Sequence, residues 1–457
     1  MELKTKGLQY LLMILAAAAV FMDYLDTSIV TIALPTIAEE FGASSSFSSW
    51  VLISYLLTLG GTLLLFGKIA DRTGRYKLIF TTGFGLFTIA SVFCSLSSTM
   101  TILVIFRFLQ GVAAALMVST ATSIINLHLS PKMQALGTGV IATGGGIALA
   151  AGPAVGGLLT EYLSWHWIFI INIPIGILGV IGALLLIPKD VKNGKSTENF
   201  DCLGAVLLIL TLSFLLSGLE FGSENGWPLY SIVLTVLGPI LGFFFIRHEL
   251  KHRNPILSAK LLLNRTVMFA SLSTLLVTLV YIGLLYVLPF YLDSVGFTTA
   301  ESGFIMLIPP ICLAIIGIPT GALMAKFSCM KLCNYATVIL TIGLAVLSLG
   351  IFMNMIPLIF ASLVITGIGN GLNEGPSIRR ITVHSPDNLQ GSAGGLVFTV
   401  MNIGCVVGVA LYSVSATIGS GSTTFTSVGI ALSCAVAVVF SVFSYLTSKL
   451  AKDTIRS

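Results

Sequence analysis

The 457-residue chain is 56% hydrophobic and only 9% charged, with a mean hydropathy of +1.02. A soluble domain uses about 25% charged residues to coat its surface, so a water-soluble α/β enzyme, a disordered chain and a secreted disulfide scaffold are excluded. The formal net charge of +5 reads as membrane topology rather than nucleic-acid binding, because cationic residues orient membrane spans.

A bilayer core about 30 Å thick takes roughly 20 apolar residues as a helix. In chain order such runs fall at 9–34, 48–68, 78–97, 102–127, 135–160, 165–187, 202–221, 229–247, 267–292, 301–324, 333–354, 357–378, 391–416 and 425–448, which predicts fourteen transmembrane helices. The first is too long for a cleavable signal and lacks a small-residue cleavage pattern. Continuous apolar runs, rather than short alternating ones, exclude an outer-membrane barrel. If the loops are assigned alternately to two sides, every Lys and Arg except Arg107 falls on the side of the N-terminus. Glu39, Glu40, Glu161, Glu220, Glu224, Asp293 and Glu301 fall on the other. The bias predicts that both termini are cytoplasmic.

The longest polar segments, 189–201 and 247–265, flank the seventh and eighth spans. The expected organisation is an N-terminal six-helix bundle over 1–190 and a basic linker region over 191–265 with two inserted helices, 202–221 and 229–247. A C-terminal six-helix bundle over 266–450 and a tail over 451–457 complete it. An internal repeat supports the division. The stretch Gly67 to Lys77 (GKIADRTGRYK) recurs in degenerate form from Gly321 to Lys331, with Ala325 in place of Asp71, and Gly111-Val-Ala-Ala-Ala echoes Gly367-Ile-Gly-Asn-Gly. Two similar bundles can rock around a site at membrane depth.

Ionisable residues inside spans are expensive and are functional candidates by default. Asp23 and Asp26 lie three apart in the first span and share a helix face. Two carboxylates so close in a low-dielectric setting should not both ionise readily, which suits a group that binds and releases protons. Arg107 falls at the same depth as Asp26 and is the expected electrostatic partner of one of the two carboxylates; a static ion pair between the first and fourth spans is the competing reading. Glu374 sits near the cytoplasmic end of the twelfth span, among Gly367, Gly369, Gly371, Asn370 and Asn373. A place in the pathway and snorkelling to the interface are both open for it. The span around it is expected to be polar, closely packed or locally irregular. Gly144, Ala148, Gly152 and Gly156 put a small residue at every fourth position of the fifth span, the pattern of close helix approach, with Pro153 expected to bend the helix. The seven cysteines are scattered without a metal-ligand spacing, and neither a cofactor nor a metal is expected.

Between the second and third spans, Gly67, Asp71, Arg72, Gly74 and Arg75 form the pattern Gly-x-x-x-Asp-Arg-x-Gly-Arg, which resembles the signature loop of the major facilitator superfamily. Leu25 to Pro35, Arg107-Phe-Leu-Gln-Gly111, Gly152-Pro153-Ala-Val-Gly156-Gly157, Trp165 to Pro174 and Glu249 to Pro255 are similar, in order, to further motifs of its fourteen-helix drug:proton antiporter family. Thr31, His166 and Ala148 depart from those motifs. The resemblance implies an all-α membrane protein of the major facilitator fold, two pseudo-symmetric six-helix bundles plus two inserted helices. It also implies a bacterial or archaeal cell-membrane location and a monomer in contact with lipid.

The function implied is proton-coupled export of lipophilic or cationic drug-like molecules by alternating access. Asp23, Asp26, Arg107 and Glu374 are candidates for proton coupling and substrate binding. The loop from Gly67 to Arg75 would stabilise one conformational state, and Gly152, Pro153, Gly156 and Gly157 would form the pliable helix face associated with efflux. Asp26→Asn is expected to abolish proton-coupled efflux while leaving expression intact. A dedicated metabolite, tetracycline-type or cation/proton exporter is the alternative. No intramembrane Ser/His/Asp set or phosphate-cradling loop supports an enzyme.

Overall fold

The computed structural model describes residues 6–129, 131–190, 201–225, 227–252, 255, 261, 263–324, 326–385, 390–417 and 425–451. Among these residues the regular structure is helical, with no strand. A chain this apolar must pair its backbone N–H and C=O groups internally, and helices do so within each segment.

In chain order the helices are α1 (Lys6–Glu40), α2 (Ser45–Ser48), α3 (Trp50–Thr73), α4 (Tyr76–Ser95), α5 (Met100–His128), α6 (Pro131–Tyr162), α7 (Trp167–Ile170) and α8 (Asn172–Leu186). There follow α9 (Cys202–Asn225), α10 (Leu229–Lys251), α11 (Arg265–Ser294), α12 (Thr299–Ile305), α13 (Ile308–Leu323), α14 (Cys329–Phe352), α15 (Ile356–Val383), α16 (Gln390–Thr417) and α17 (Ser427–Leu450). Twelve stretches of the described residues are long and apolar enough to cross a membrane. The 32-residue α6 and the shorter apolar run Leu203–Leu219 in α9 account for the other two predicted spans. Two spans expected to be continuous are broken instead, the sixth into α7 and α8 and the tenth into α12 and α13. Pro174 and the pair Pro309-Pro310 follow the breaks, and each proline removes a donor that would have bonded to the preceding turn. The span carrying Glu374 is not irregular: α15 runs unbroken to Val383, with Pro376 inside it.

Side chains close the helix ends. Asp190 accepts from the backbone N–H groups of Lys77 (2.8 Å) and Leu78 (3.1 Å) at the start of α4. The Lys77 ammonium donates to the carbonyls of Leu184 and Ile187 at the end of α8, both at 2.6 Å. Asn264 caps α11 through the N–H groups of Thr266 and Val267. Gly74 turns the chain from α3 into α4 with φ +66°, a conformation that disfavours any residue with a Cβ.

The chain forms two compact units, one of Met1–Ala43, Trp50–Ala205 and Thr299–Gly303, the other of Ser44–Ser49, Val206–Thr298 and Phe304–Ser457. In the first, α6 lies directly on α1. A Cβ at Gly156 would stand 2.8 Å from the Ile29 carbonyl, one at Gly152 would overlap Ser28, and Gly144 faces Ala17. The Ser28 hydroxyl also donates to the Ala148 carbonyl at 3.3 Å. All four small residues of the sequence pattern thus meet one partner helix. Gly157 faces the other way in the same unit, where a Cβ would lie 2.6 Å from the Thr299 carbonyl. In the second unit, α9 and α10 form a hairpin with glycine contacts on both sides, Gly218 against Thr235 and Gly238 against Leu215.

Candidate functional site

A polar network lies inside the first unit, surrounded by apolar side chains. Asp23 and Asp26 project from α1, Tyr55 from α3, Ser91 and Cys94 from α4, Arg107 and Gln110 from α5, and Asn172 from the start of α8. Gly111 shapes this site: a Cβ there would overlap Thr58 and the Tyr55 carbonyl, so its absence lets α3 and α5 touch. That contact puts the Arg107 guanidinium 4.1 Å from the centre of the Tyr55 ring. Phe169 flanks the same cation at 5.9 Å. A desolvated cation over an aromatic face gains about 2 kcal/mol.

The two acids differ in their surroundings. Asp26 is 0% exposed. One of its oxygens pairs with Arg107 Nη1; the other accepts from Asn172 Nδ2 at 2.8 Å and from Gln110 Nε2 at 3.0 Å. Arg107 is held in turn, donating from Nε to the Val51 carbonyl at 2.9 Å and from Nη1 to Gln110 Oε1 at 2.8 Å. Gln110 also donates to the Ser91 hydroxyl at 2.9 Å. A buried ion pair is sustained only when further hydrogen bonds satisfy its remaining donors and acceptors, and α3, α5 and α8 supply most of them. Asp23 keeps 8% exposure. It accepts a 2.5 Å hydrogen bond from the Tyr55 hydroxyl and has no ion-pair partner among the described residues. Counted as charges, Arg107 offsets Asp26, and Asp23 is the acid left over. Tyr55 links the two, with its hydroxyl on Asp23 and its ring on Arg107. Among the described residues the buried Arg107 Nη2 and Asn172 Oδ1 have no hydrogen-bond partner, so one donor and one acceptor of the network stand open there.

The structure thus brings together three of the four sequence-stated intramembrane candidates, Asp23, Asp26 and Arg107. Glu374 belongs to the other unit, on α15. Gln110 and Asn172 lie within motifs noted in the sequence, but neither was singled out, because an amide inside a span carries no charge to mark it. Tyr55 had no signal beyond its type. In the motif between the second and third spans, Gly67 faces Ser119 of α5, Gly74 makes the turn and Arg75 is exposed. The side chains of Asp71 and Arg72 lie outside the described residues.

An apolar helical bundle enclosing a compensated ion pair and one uncompensated acid is the architecture of a membrane transporter, and comparison with known proteins agrees. The Major Facilitator Superfamily matches residues 16–409, and the chain belongs to it. The chain is 31% identical over 414 residues to the putative multidrug resistance protein MdtD of Escherichia coli O81 (strain ED1a), covering 87% of this chain and 84% of that protein. It is 29% identical over 406 residues to the riboflavin transporter RibZ of Clostridioides difficile (strain 630), covering 89% and 88%. Among solved structures, a peptide transporter POT in complex with sulfate superimposes with a TM-score of 0.71 over 97% of this chain and 95% of that one. At 14% identity, that likeness concerns the fold alone. The protein is therefore a multi-pass membrane transporter of small molecules, and its family and relatives are transporters rather than enzymes.

Proposed function

We propose that the protein is a proton-coupled exporter of lipophilic or cationic drug-like molecules, and that Asp23 is the carboxylate that carries the proton. The observation that carries this reading is the inequality of the two acids. Asp26 is paired and sealed, whereas Asp23 is bonded to a neutral phenol and is the more exposed. A proton arriving at Asp23 removes an uncompensated buried charge; its departure restores that charge beside Tyr55, whose ring holds Arg107. The proton state of one side chain is thereby felt by the pair that ties α1 to α5. An electrostatic change of this kind must act on an element with two arrangements to drive transport. In this reading that element is the packing of α1 on α6 across the Gly152 and Gly156 face. Both termini lie in the cytoplasm, and the Gly67–Arg75 loop acts at that face.

Similarity to the putative multidrug resistance protein supports export of varied compounds. Similarity of nearly the same extent to a riboflavin transporter favours a second reading, a carrier dedicated to one metabolite. Reconstitution into liposomes with an imposed pH gradient tests the proposal, with a lipophilic cationic dye and riboflavin as parallel substrates. The wild-type protein is expected to move dye against its gradient as protons flow the other way. Asp23→Asn is expected to retain its fold and lose at least tenfold of the gradient-driven rate. Gradient-driven transport at the wild-type rate by Asp23→Asn would refute the assignment. Movement of riboflavin alone would establish the second reading.

A further inference from the structure

Glu374 lies in the second unit, where it is half-buried and unused by the network around Arg107. Its surroundings follow from the spacing of three glycines. At Gly367 and Gly371 of α15 a Cβ would stand 2.5 Å and 2.8 Å from the carbonyls of Pro309 and Leu313, so α13 and α15 meet there backbone to backbone. One turn further on, at Gly375, the nearest atom is the flexible end of Met324 at 3.6 Å. The helices part, leaving a cavity of about 240 Å³ whose walls include Leu313, Gly317, Thr320, Met324, Glu374 and Ile378.

Among the described residues Glu374 is the only charged one lining this cavity, and it has no ion-pair partner among them. Arg380, nearly two turns beyond, is committed elsewhere, donating to the Ser448 hydroxyl and carbonyl at 3.0 Å each and to the Ala451 carbonyl at the end of α17. Arg379 and Lys326 are exposed. Within electrostatic reach of Glu374 lies the hydroxyl of Tyr281 on α11; it is buried and without a hydrogen-bond partner among the described residues. An acid within a span that faces a cavity without a cation is an incomplete pair.

We propose that this cavity is a binding subsite for the ammonium end of an organic monocation, with Glu374 as the counter-charge. The walls argue against a metal ion. Hard cations take six or more oxygen ligands, and beyond one carboxylate and the Thr320 hydroxyl the lining side chains are aliphatic or thioether. The volume falls just below the 300–1,000 Å³ of pockets that enclose whole drug-sized ligands, which fits a head group with a short apolar flank. In the exporter reading, on which this inference rests for its role in transport, cation and proton then occupy acids in different units rather than competing for one.

Equilibrium binding of tritiated benzyltrimethylammonium to the full chain in lipid nanodiscs, at fixed pH, tests the subsite without requiring transport. Glu374→Gln is expected to weaken binding at least tenfold, and Glu374→Asp to keep part of the affinity. The gradient-driven transport of Asp23→Asn reads the proton assignment and this binding measurement reads Glu374 alone, so failure of the one and failure of the other give different results. Gly317→Leu provides a second variant should Glu374→Gln fold poorly. A Cβ at Gly317 meets nothing within 4 Å, the change favours the helix, and the side chain fills the cavity while Glu374 remains. It too should weaken binding. Wild-type affinity in Gly317→Leu or in folded Glu374→Gln overturns the proposal, as does displacement of the probe by Na⁺ at equal concentration.

Discussion

Asp26 and Arg107 are both 0% exposed, and each is costly without the other. Breaking a buried pair by removing one partner costs about 3–5 kcal/mol, because the remaining charge stays buried and uncompensated. The sequence expectation that Asp26→Asn leaves expression intact is therefore revised: Asp26→Asn and Arg107→Ala are expected to lower the melting temperature sharply and reduce the yield of monodisperse protein in nanodiscs, because each leaves a buried partner unpaired. Arg107→Lys should rescue little. A lysine is a point charge on a flexible stem and cannot at once reach the Val51 carbonyl, Asp26 and Gln110 while stacking on Tyr55. Asp23→Asn should leave the melting temperature close to that of the wild type, since an amide can still accept from the Tyr55 hydroxyl. A melting curve for Asp23→Asn as damaged as that for Asp26→Asn would contradict the division of roles between the acids. That Arg107 pairs with one of the two carboxylates was legible in the sequence from depth alone; that the partner is Asp26, and that Asp23 and Asp26 are unequal, was not. Residues three apart on one helix look alike until the neighbours from α3, α4, α5 and α8 are in place.

At the scale of elements, glycine decides which helices touch. The face formed by Gly144, Ala148, Gly152 and Gly156 was visible as a spacing, but its partner was not, because a small-residue stripe specifies closeness without saying to what. In the structure the partner is α1, the helix that carries both acids. A Cβ at Gly152 would overlap Ser28, so Gly152→Ala is expected to destabilise the first unit by about 1–3 kcal/mol, the usual penalty for overpacking. Ser28→Gly, introduced with it, should recover part of the loss, and thermal unfolding of the single and double variants measures both. If the second change recovers nothing, the α1–α6 contact does not set the stability of this unit. The breaks before Pro174 and Pro309 show a limit of span counting: hydropathy averaged over a window does not register a missing backbone donor.

At the scale of the molecule, topology and coupling are open to measurement. If both termini are cytoplasmic, a single cysteine at position 457 in an otherwise cysteine-free chain should resist an impermeant maleimide applied to intact cells and react after lysis. A cysteine at position 224, in the last turn of α9, should then react from outside. Labelling of position 457 in intact cells would reverse the orientation derived from the basic loops. If one monovalent cation exchanges for one proton, transport carries no net charge. Efflux of a monovalent dye from proteoliposomes should then be unaffected by a potassium-diffusion potential, whereas a rate that follows the potential would require a different stoichiometry.

The sequence by itself determined that this chain lives in a membrane, crosses it fourteen times and belongs among major facilitator transporters. Hydropathy, charge asymmetry and motif order are additive along the chain and need no knowledge of neighbours. It also marked the acids, because a charge inside an apolar run is conspicuous wherever it points. Only the tertiary structure decided what surrounds each acid. Three donors from two helices hold Asp26, one phenol touches Asp23, and a parting of α13 and α15 leaves Glu374 facing an opening. Those differences arise from which helices are brought within hydrogen-bonding distance, and long-range proximity of that kind is a property of the folded bundle rather than of any segment within it.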